Sequence, residues 1–352
     1  MSPGGSAPRV PRPVVVVGDA NVDLVLRGDV VPRFGQVEQL ADSGDLVLGG
    51  SASIAASGIA RLGVPTSLVA RVGADTFGTF TLEALRRHGV DVESVEVADA
   101  EPTGLSVILS TPADRAILTV PGTIPTLTGE RVTEVLDARA DRPGLLHVAS
   151  YFLQPGLARA LPGVLARARE QGWTTSLDTN WDPDEKWAGL DEVLPHLDLL
   201  LPNRNELRAI AGALGEEVGP GDGVDDGAAG HGRDSGVGTG RAGDSRADDV
   251  ALAIRLARRG PRVVVKDGAD GGWSVGAAGV VVRAPGIAVE VVDTTGAGDS
   301  FDAGYLAALA YGFDDEQTRV RWATTAGSLS TLGSGGTGRQ ATLDELERVL
   351  AR

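Results

Sequence analysis

Toward the C-terminal end, Asp293-Thr294-Thr295-Gly296-Ala297-Gly298-Asp299-Ser300-Phe301 runs directly into the apolar stretch Ala303–Ala310. Small residues at 296–298 let three successive backbone amides converge on an anion, and a helix starting behind them adds the positive end of its dipole. The segment reads as a cradle for a phosphate or an oxyanion. Asp299 stands beside it, where a carboxylate can accept a proton from a hydroxyl held against the cradle. At the other end of the chain, Asn21 and Asp23 follow a strand terminus and can present an amide and a carboxylate to vicinal hydroxyls. Gly49 and Gly50 allow the backbone to approach a ligand closely, although a bare Gly-Gly also serves as a turn. In Pro202-Asn203-Arg204-Asn205-Glu206, the Asn and Glu stand at the spacing of a helix start closed by a capping box.

These groups need a scaffold, and the hydrophobic pattern supplies one. Val14–Val17 reads as a buried strand. Ser51 is placed to cap a small-residue helix over 51–62, followed by a strand over 66–72 and a helix over 77–88. Two β-like runs, 104–109 and 116–120, flank Thr111-Pro112-Ala113-Asp114 as a hairpin. From residue 145 onward, strands at 145–148, 174–177, 197–200 and 262–265 alternate with helices over 157–171, 204–213 and 248–259. This is the rhythm of a parallel sheet covered on both faces. A strand is expected over 287–292, leading into the anion cradle, and a helix over 322–331. Residues 215–244 are dense in glycine and poor in large apolar side chains, so they read as a disordered surface insertion; residues 1–13 read as a disordered tail.

The chain has 352 residues, 42% of them hydrophobic and 23% charged, enough to bury a full core. Its net charge of -16 repels phosphate backbones and anionic lipid, which argues against a nucleic-acid or membrane partner. Without cysteine there is no thiolate nucleophile, thiolate metal site or disulfide. No signal-peptide core or membrane-length apolar run stands out, so a cytoplasmic location is expected. Gly333–Gly338 matches a dinucleotide-binding G-x-G-x-x-G, but it follows a helical stretch rather than a strand; it is read instead as a mobile loop near the adenine end of a nucleotide site. Gly272-Trp273-Ser274-Val275-Gly276 has the form of a hydrolase elbow, but no histidine follows it, so it is read as a hairpin turn.

Taken together, DTTGAGDSF before an apolar helix resembles the C-terminal signature of the ribokinase-like sugar kinases, the phosphofructokinase B family. GGSASIAASGIARLG at 49–63 is similar to the N-terminal signature of that family, GDANVD at 18–23 to its sugar-binding opening, and Asn203-Arg204-Asn205-Glu206 to its Asn-x-x-Glu motif. The resemblance implies a three-layer α/β/α sandwich with a mostly parallel sheet, occupying 14–352 as a single domain. A small β lid would come from parts of 28–48 and 102–122, and its strands could pair in a homodimer. It implies ATP and Mg2+ as cofactors and a sugar as acceptor, with nucleoside kinase and non-catalytic sugar-binding relatives as alternatives.

By the same resemblance, Asp299 is the base, and the amides of Gly296, Ala297 and Gly298 stabilise the transferring phosphoryl group. A base at a helix N-terminus is expected to have a low pKa, which a loose transition state tolerates. Asn203 and Glu206 organise magnesium and phosphate through water; Lys266, Gly268 and Thr324 fall around the nucleotide; Asn21, Asp23, Gly49 and Gly50 meet the sugar. Asp293 and Thr295 match positions at which many members hold a monovalent cation such as K+. One departure is Ile54, where the family usually has an Asn that bonds the sugar. An acceptor with a less polar edge there, or compensation by Ser51 or Ser53, is expected. The absence of a basic residue from Gly49–Ser53 argues against a phosphorylated sugar, and Asp182, where an Arg is expected after Asp178-Thr179-Asn180, argues against an acidic one.

Overall fold

The structure, a computed structural model, describes residues 9–111, 115–217 and 246–352. Most of the expected insertion and tail, and the turn residues 112–114, lie outside the described residues.

Four consecutive valines, Val14–Val17 (β1), show how the core is divided. Side chains alternate across a strand, so Val15 and Val17 enter one hydrophobic cluster and Val14 and Val16 the other. The chain then runs through β2 (Asn21–Arg27), β3 (Ser43–Gly49), α1 (Ser51–Arg61), β4 (Thr66–Val69), β5 (Arg71–Gly73), α2 (Thr76–Arg87) and β6 (Glu96–Ala98). Next come β7 (Gly104–Ser110), β8 (Arg115–Val120), α3 (Gly129–Asp137), β9 (Leu145–Ala149), α4 (Pro155–Glu170), β10 (Thr174–Asp178), α5 (Leu190–Val193), β11 (Leu199–Leu200) and α6 (Arg204–Ala213). The last part holds α7 (Arg246–Ala257), β12 (Arg262–Lys266), β13 (Gly272–Val275), β14 (Val281–Ala284), α8 (Ala297–Ala310), α9 (Glu316–Ser330) and α10 (Leu343–Leu350).

The main sheet has the order β14-β13-β12-β11-β10-β9-β1-β4. From β4 to β12 it is parallel, and β13 and β14 finish it as an antiparallel meander. Helices α3–α7 bury Leu136, Leu161, Val193, Leu207 and Leu256 against one face. Helices α1, α2, α8, α9 and α10 bury Ile59, Leu85, Leu306, Val320 and Leu346 against the other. This is an α/β architecture with helices on both faces of a mostly parallel sheet. From β1 the chain passes to β4 on one side and from β4 onward returns to β9 on the other side of β1, and such a reversal opens a crevice at the carboxyl ends of the strands. A second sheet, β3-β2-β7-β8, stands at that end, with β2 and β7 parallel and β8 at its edge. No helix among the described residues is long and apolar enough to cross a membrane.

Several sequence expectations change. The second sheet draws on Asn21–Arg27, read above as a ligand-binding opening, while 28–42 contributes no strand. Residues 287–292 do not form a strand: Ile287 donates its amide to the Ser328 hydroxyl at 3.1 Å and Val292 to the Thr331 carbonyl at 2.8 Å, so the segment runs along the end of α9 and does not pair with β14. Gly272–Val275 is a strand in the middle of the meander and not a turn. Of the tail, Arg12 donates its amide to the Ala310 carbonyl at 2.9 Å, and Arg9 reaches the Gly312 carbonyl at 2.8 Å and lies over the Phe313 ring. Glu216, assigned to the insertion, is held by Arg259 at 2.6 Å.

Candidate active site

The carboxyl end of β1 turns at Gly18 into Asp19, whose carboxylate accepts the amides of Ser51 and Ala52 at 3.1 and 2.9 Å. A buried carboxylate at the start of α1 satisfies two of its orphan donors, a role that the sequence placed on Ser51. Gly50, not Ser51, is the N-cap residue. The Ser51 hydroxyl is thereby released to face the site: it donates to the Asp299 carboxylate and accepts from the Asn180 amide at 3.0 Å.

Asn21 and Asp23 open β2 on this same crevice, and the Asn21 amide donates to Asp23 at 2.9 Å. Gly49 pairs with Asn21 across the sheet, and a Cβ placed on it would stand 2.1 Å from the Asp23 carboxylate, so any larger residue must push that carboxylate aside. Gly50 packs against Asn21 and the Asp19 carbonyl. The four expected acceptor residues therefore form one group. Burial, together with the charge of Asp19, pushes Asp23 up to about 7.

Ile54 behaves differently from expectation. It is buried, and its methyl groups lie beneath Gly296 and Gly336. It supports the anion turn from below instead of forming an acceptor edge. Of the two serines proposed to compensate, Ser53 bonds the Asp19 carbonyl, and Ser51 alone reaches Asp299.

Helix α8 begins at Ala297, with Gly296 as its N-cap in the left-handed region at φ 71°. The Ala297 amide donates to the Thr294 carbonyl at 3.2 Å, so it is engaged within the turn. The Gly296 and Gly298 amides have no backbone acceptor among the described residues. The expected three-amide cradle is thus reduced to two at rest. Asp299 lies in the first turn of the helix and is partly buried. Its pKa is pushed up to about 7, first by burial and then by the charge of Asp178, against the Ser51 hydrogen bond and the Lys266 charge. The expected low value is therefore corrected: desolvation and a like charge outweigh the helix terminus.

Beneath Asp299, Lys266 at the end of β12 donates to Asp178 at 2.6 Å and to Asp302 at 3.2 Å. Asp178, Asp299 and Asp302 each bring a carboxylate oxygen within 4.8 Å of the others. Glu206 adds a fourth carboxylate, pushed up to about 7 by burial and by Asp178. Four acids thus surround one ammonium. Asn203 and Glu206 form the capping box of α6: Asn203 accepts the Glu206 amide at 3.0 Å, and Glu206 accepts the Asn203 amide at 2.7 Å. The pair therefore has a helix-capping role whatever else it does. Asp182 accepts three amides of its own loop, from Asp184, Lys186 and Trp187.

A cavity of about 510 Å³ opens beside the first residues of α8. Lys266, Gly268 and Thr324, expected around a nucleotide, all line it, as do Ala297 and Gly298. Its apolar wall comes from Ile287, Ala288, Val289 and Val291, the segment expected to be a strand, with Phe301 behind. Gly335 and Gly336 are elsewhere, against Asp293 and Gly296, so the 333–338 loop, expected near the adenine end of a nucleotide, braces the 293–296 turn and does not line this cavity. Asp293 accepts the amides of Thr295 and Gly335 at 2.8 and 3.0 Å. Sequence reasoning did not single out Ser51 as a partner of Asp299, nor Asp19, Asp302 and Arg27. Asp302 stands one helical turn from Asp299 on the apolar helix, which was the available signal.

Comparison with known proteins places this geometry. The model of the pfkB family carbohydrate kinases matches residues 12–342. Ribokinase of Bacillus subtilis is 26% identical over 97% of this chain and 100% of its own length. ATP-dependent ribose-1-phosphate kinase of Halopiger xanaduensis is 29% identical over 96% of this chain and 98% of its own. Among solved structures, Arabidopsis thaliana ribokinase complexed with ribose and ATP has a TM-score of 0.76 at 23% identity, covering 97% of this chain and 99% of that one. With a family match across nearly its whole length, the chain belongs to the pfkB carbohydrate kinases, phosphotransferases that act on sugar hydroxyls.

Proposed function

We propose that this chain transfers the γ-phosphoryl group of ATP to a hydroxymethyl group of a sugar, with Asp299 as base. The observation that carries this reading is Asp299 itself, bonded by Ser51 and following directly on Gly298, which lines the cavity. The hydroxyl of Ser51 leads from it to Asn180, with Asn21 and Asp23 behind Gly50, while the cavity of about 510 Å³ at Gly298 is walled by apolar residues and suits a nucleotide. An acceptor hydroxyl between them lies against both the base and the open Gly298 amide at the start of α8.

The chain's own part is positioning and proton removal. Asn21 and Asp23 orient the acceptor, and Ser51 fixes the Asp299 carboxylate toward it. With its proton affinity near neutrality, Asp299 can take the hydroxyl proton as the oxygen attacks phosphorus in line and the leaving oxygen departs. The Gly296 and Gly298 amides meet the charge that spreads over the equatorial oxygens. The carboxylate crowding around Lys266 fits Mg2+, because hard oxygen donors suit it and the buried Asp302 Oδ1 has no partner among the described residues. Glu206, with Asn203, would hold the ion through water; when bound it neutralises phosphate charge.

A second acceptor class has an observation of its own. Arg115 on β8 approaches Thr295 at 3.2 Å and acts on Asp23 by its charge, so the second sheet brings a cation to the crevice that the Gly49–Ser53 stretch lacks. This favours a phosphorylated sugar as the alternative to a neutral one. That sheet also leaves Ile117, Leu118 and Val120 exposed on its edge strand, the side on which a second copy would pair.

The test is ATP consumption with a panel of neutral pentoses and hexoses, sugar phosphates and nucleosides, run beside Asp299→Asn. Phosphorylation of a sugar that disappears in the variant supports the reading. Equal activity in the two proteins overturns it, and activity on nucleosides alone overturns the acceptor class.

A further inference from the structure

The resemblance implies a monovalent cation held by Asp293 and Thr295, but the groups around them do not fit one. Asp293 Oδ1 accepts the Thr295 amide at 2.8 Å, and Oδ2 accepts both the Gly335 amide at 3.0 Å and the Arg27 guanidinium at 3.4 Å. The same Arg27 nitrogen donates to the Ser334 hydroxyl. The Thr295 hydroxyl accepts from Arg115 at 3.2 Å. Both expected ligands therefore already face guanidinium groups. A second positive charge placed among these groups would meet the repulsion of both guanidiniums in a partly desolvated site. The other end of Arg27 is fixed too, through Asp45 at 2.6 Å on the neighbouring strand β3.

We infer that Arg27 takes the place of the monovalent cation. This rests on the reading of the 293–298 turn as the anion site. Its guanidinium ties Asp293 to Ser334 and so joins the two loops that flank Gly296, setting the shape of the turn without contacting the phosphoryl group. Arg27 is a positioning residue. It also differs from a diffusible ion in being covalently part of β2, the strand that starts with Asn21 and Asp23. Seven residues of extended chain link the acceptor contacts at one end to the charge at the other, a span of about 20 Å at roughly 3.3 Å per residue. A shift of the second sheet on an acceptor would carry the charge with it.

The experiment compares KCl with tetramethylammonium chloride at equal ionic strength, with two readouts. The first is thermal unfolding, which needs no substrate and stays informative if the kinase reading fails. The wild-type melting temperature is expected to be the same in both salts, whereas Arg27→Gln should rise by several degrees in K+ as the ion occupies the vacated carboxylate. The second is phosphotransfer with whichever acceptor the panel identifies. Wild type should vary less than about twofold between the salts; Arg27→Gln should lose activity and regain about tenfold in K+, and Arg27→Lys should stay insensitive. Stabilisation or strong stimulation of wild type by K+ overturns the inference. So does an Arg27→Gln protein with wild-type activity and no response to K+. If Arg27→Gln does not fold, the two wild-type comparisons and Arg27→Lys decide alone.

Discussion

Replacing Asp299 by Asn should abolish phosphotransfer and make the protein more stable. Its proton affinity rises on folding from an ordinary 3.8 to about 7, mainly because burial and Asp178 disfavour the charged form. The folded state therefore binds this proton more tightly than the unfolded state between those two values. Over that window the unfolded chain has released the proton while the folded one holds it, so stability falls as pH rises from about 4 to about 7 and stays low above. At about 1.4 kcal/mol for each tenfold difference in affinity, the full span amounts to about 4 kcal/mol, an upper bound because the crevice can admit water. Asn removes the titration and still offers an oxygen to the Ser51 hydroxyl. Urea unfolding of both proteins across the pH range measures this: a gain of about 1–4 kcal/mol at pH 8 that fades toward pH 4 is expected. A variant no more stable at pH 8, or one whose advantage does not depend on pH, would refute the electrostatic picture of the site. A parallel kinetic consequence is an acid limb in kcat/KM near pH 7, because only the ionised carboxylate can act as base.

Lys266→Met should cost about 3–5 kcal/mol, because Asp178 and Asp302 would lose their shared ammonium while buried. Adding Asp302→Asn should recover part of that loss, which chemical denaturation of the single and double variants would reveal. Gly49→Ala should raise KM for the acceptor with little effect on the melting temperature, since its Cβ must displace the Asp23 carboxylate; an unchanged KM would place the acceptor elsewhere.

Much of this site was legible in the sequence because its motifs sit at strand and helix ends, where local chemistry and topology agree. The valines of β1, the turn at Gly296 and the capping residues of α6 can each be read from a few neighbours. What escaped depended on long-range pairing. Nothing near Asn21–Arg27 shows that it will lie parallel to β7, residues away in the chain, and so form the centre of the second sheet. The β-branched segment 287–292 has strand propensity, but its amides at Ile287 and Val292 are taken by Ser328 and Thr331 at the end of α9, and it becomes the wall of a cavity instead. Likewise Ser51 has the right type and place for a helix cap, and Asp19 takes that role from the turn after β1, leaving the hydroxyl for Asp299. The Arg27–Asp293 contact crosses most of the chain and has no local signature.

The capping box at Asn203 and Glu206 bears on how relatives that have lost turnover could be recognised. Drift away from this pair would uncap α6, so a descendant with no phosphotransfer would still be held to the motif by the demands of folding. Its presence in a chain says little about whether the enzyme is alive. Asp299 is in the opposite position, because a fold relieved of selection for catalysis would gain stability by discarding it. An aspartate at that place is therefore the better mark of a working kinase.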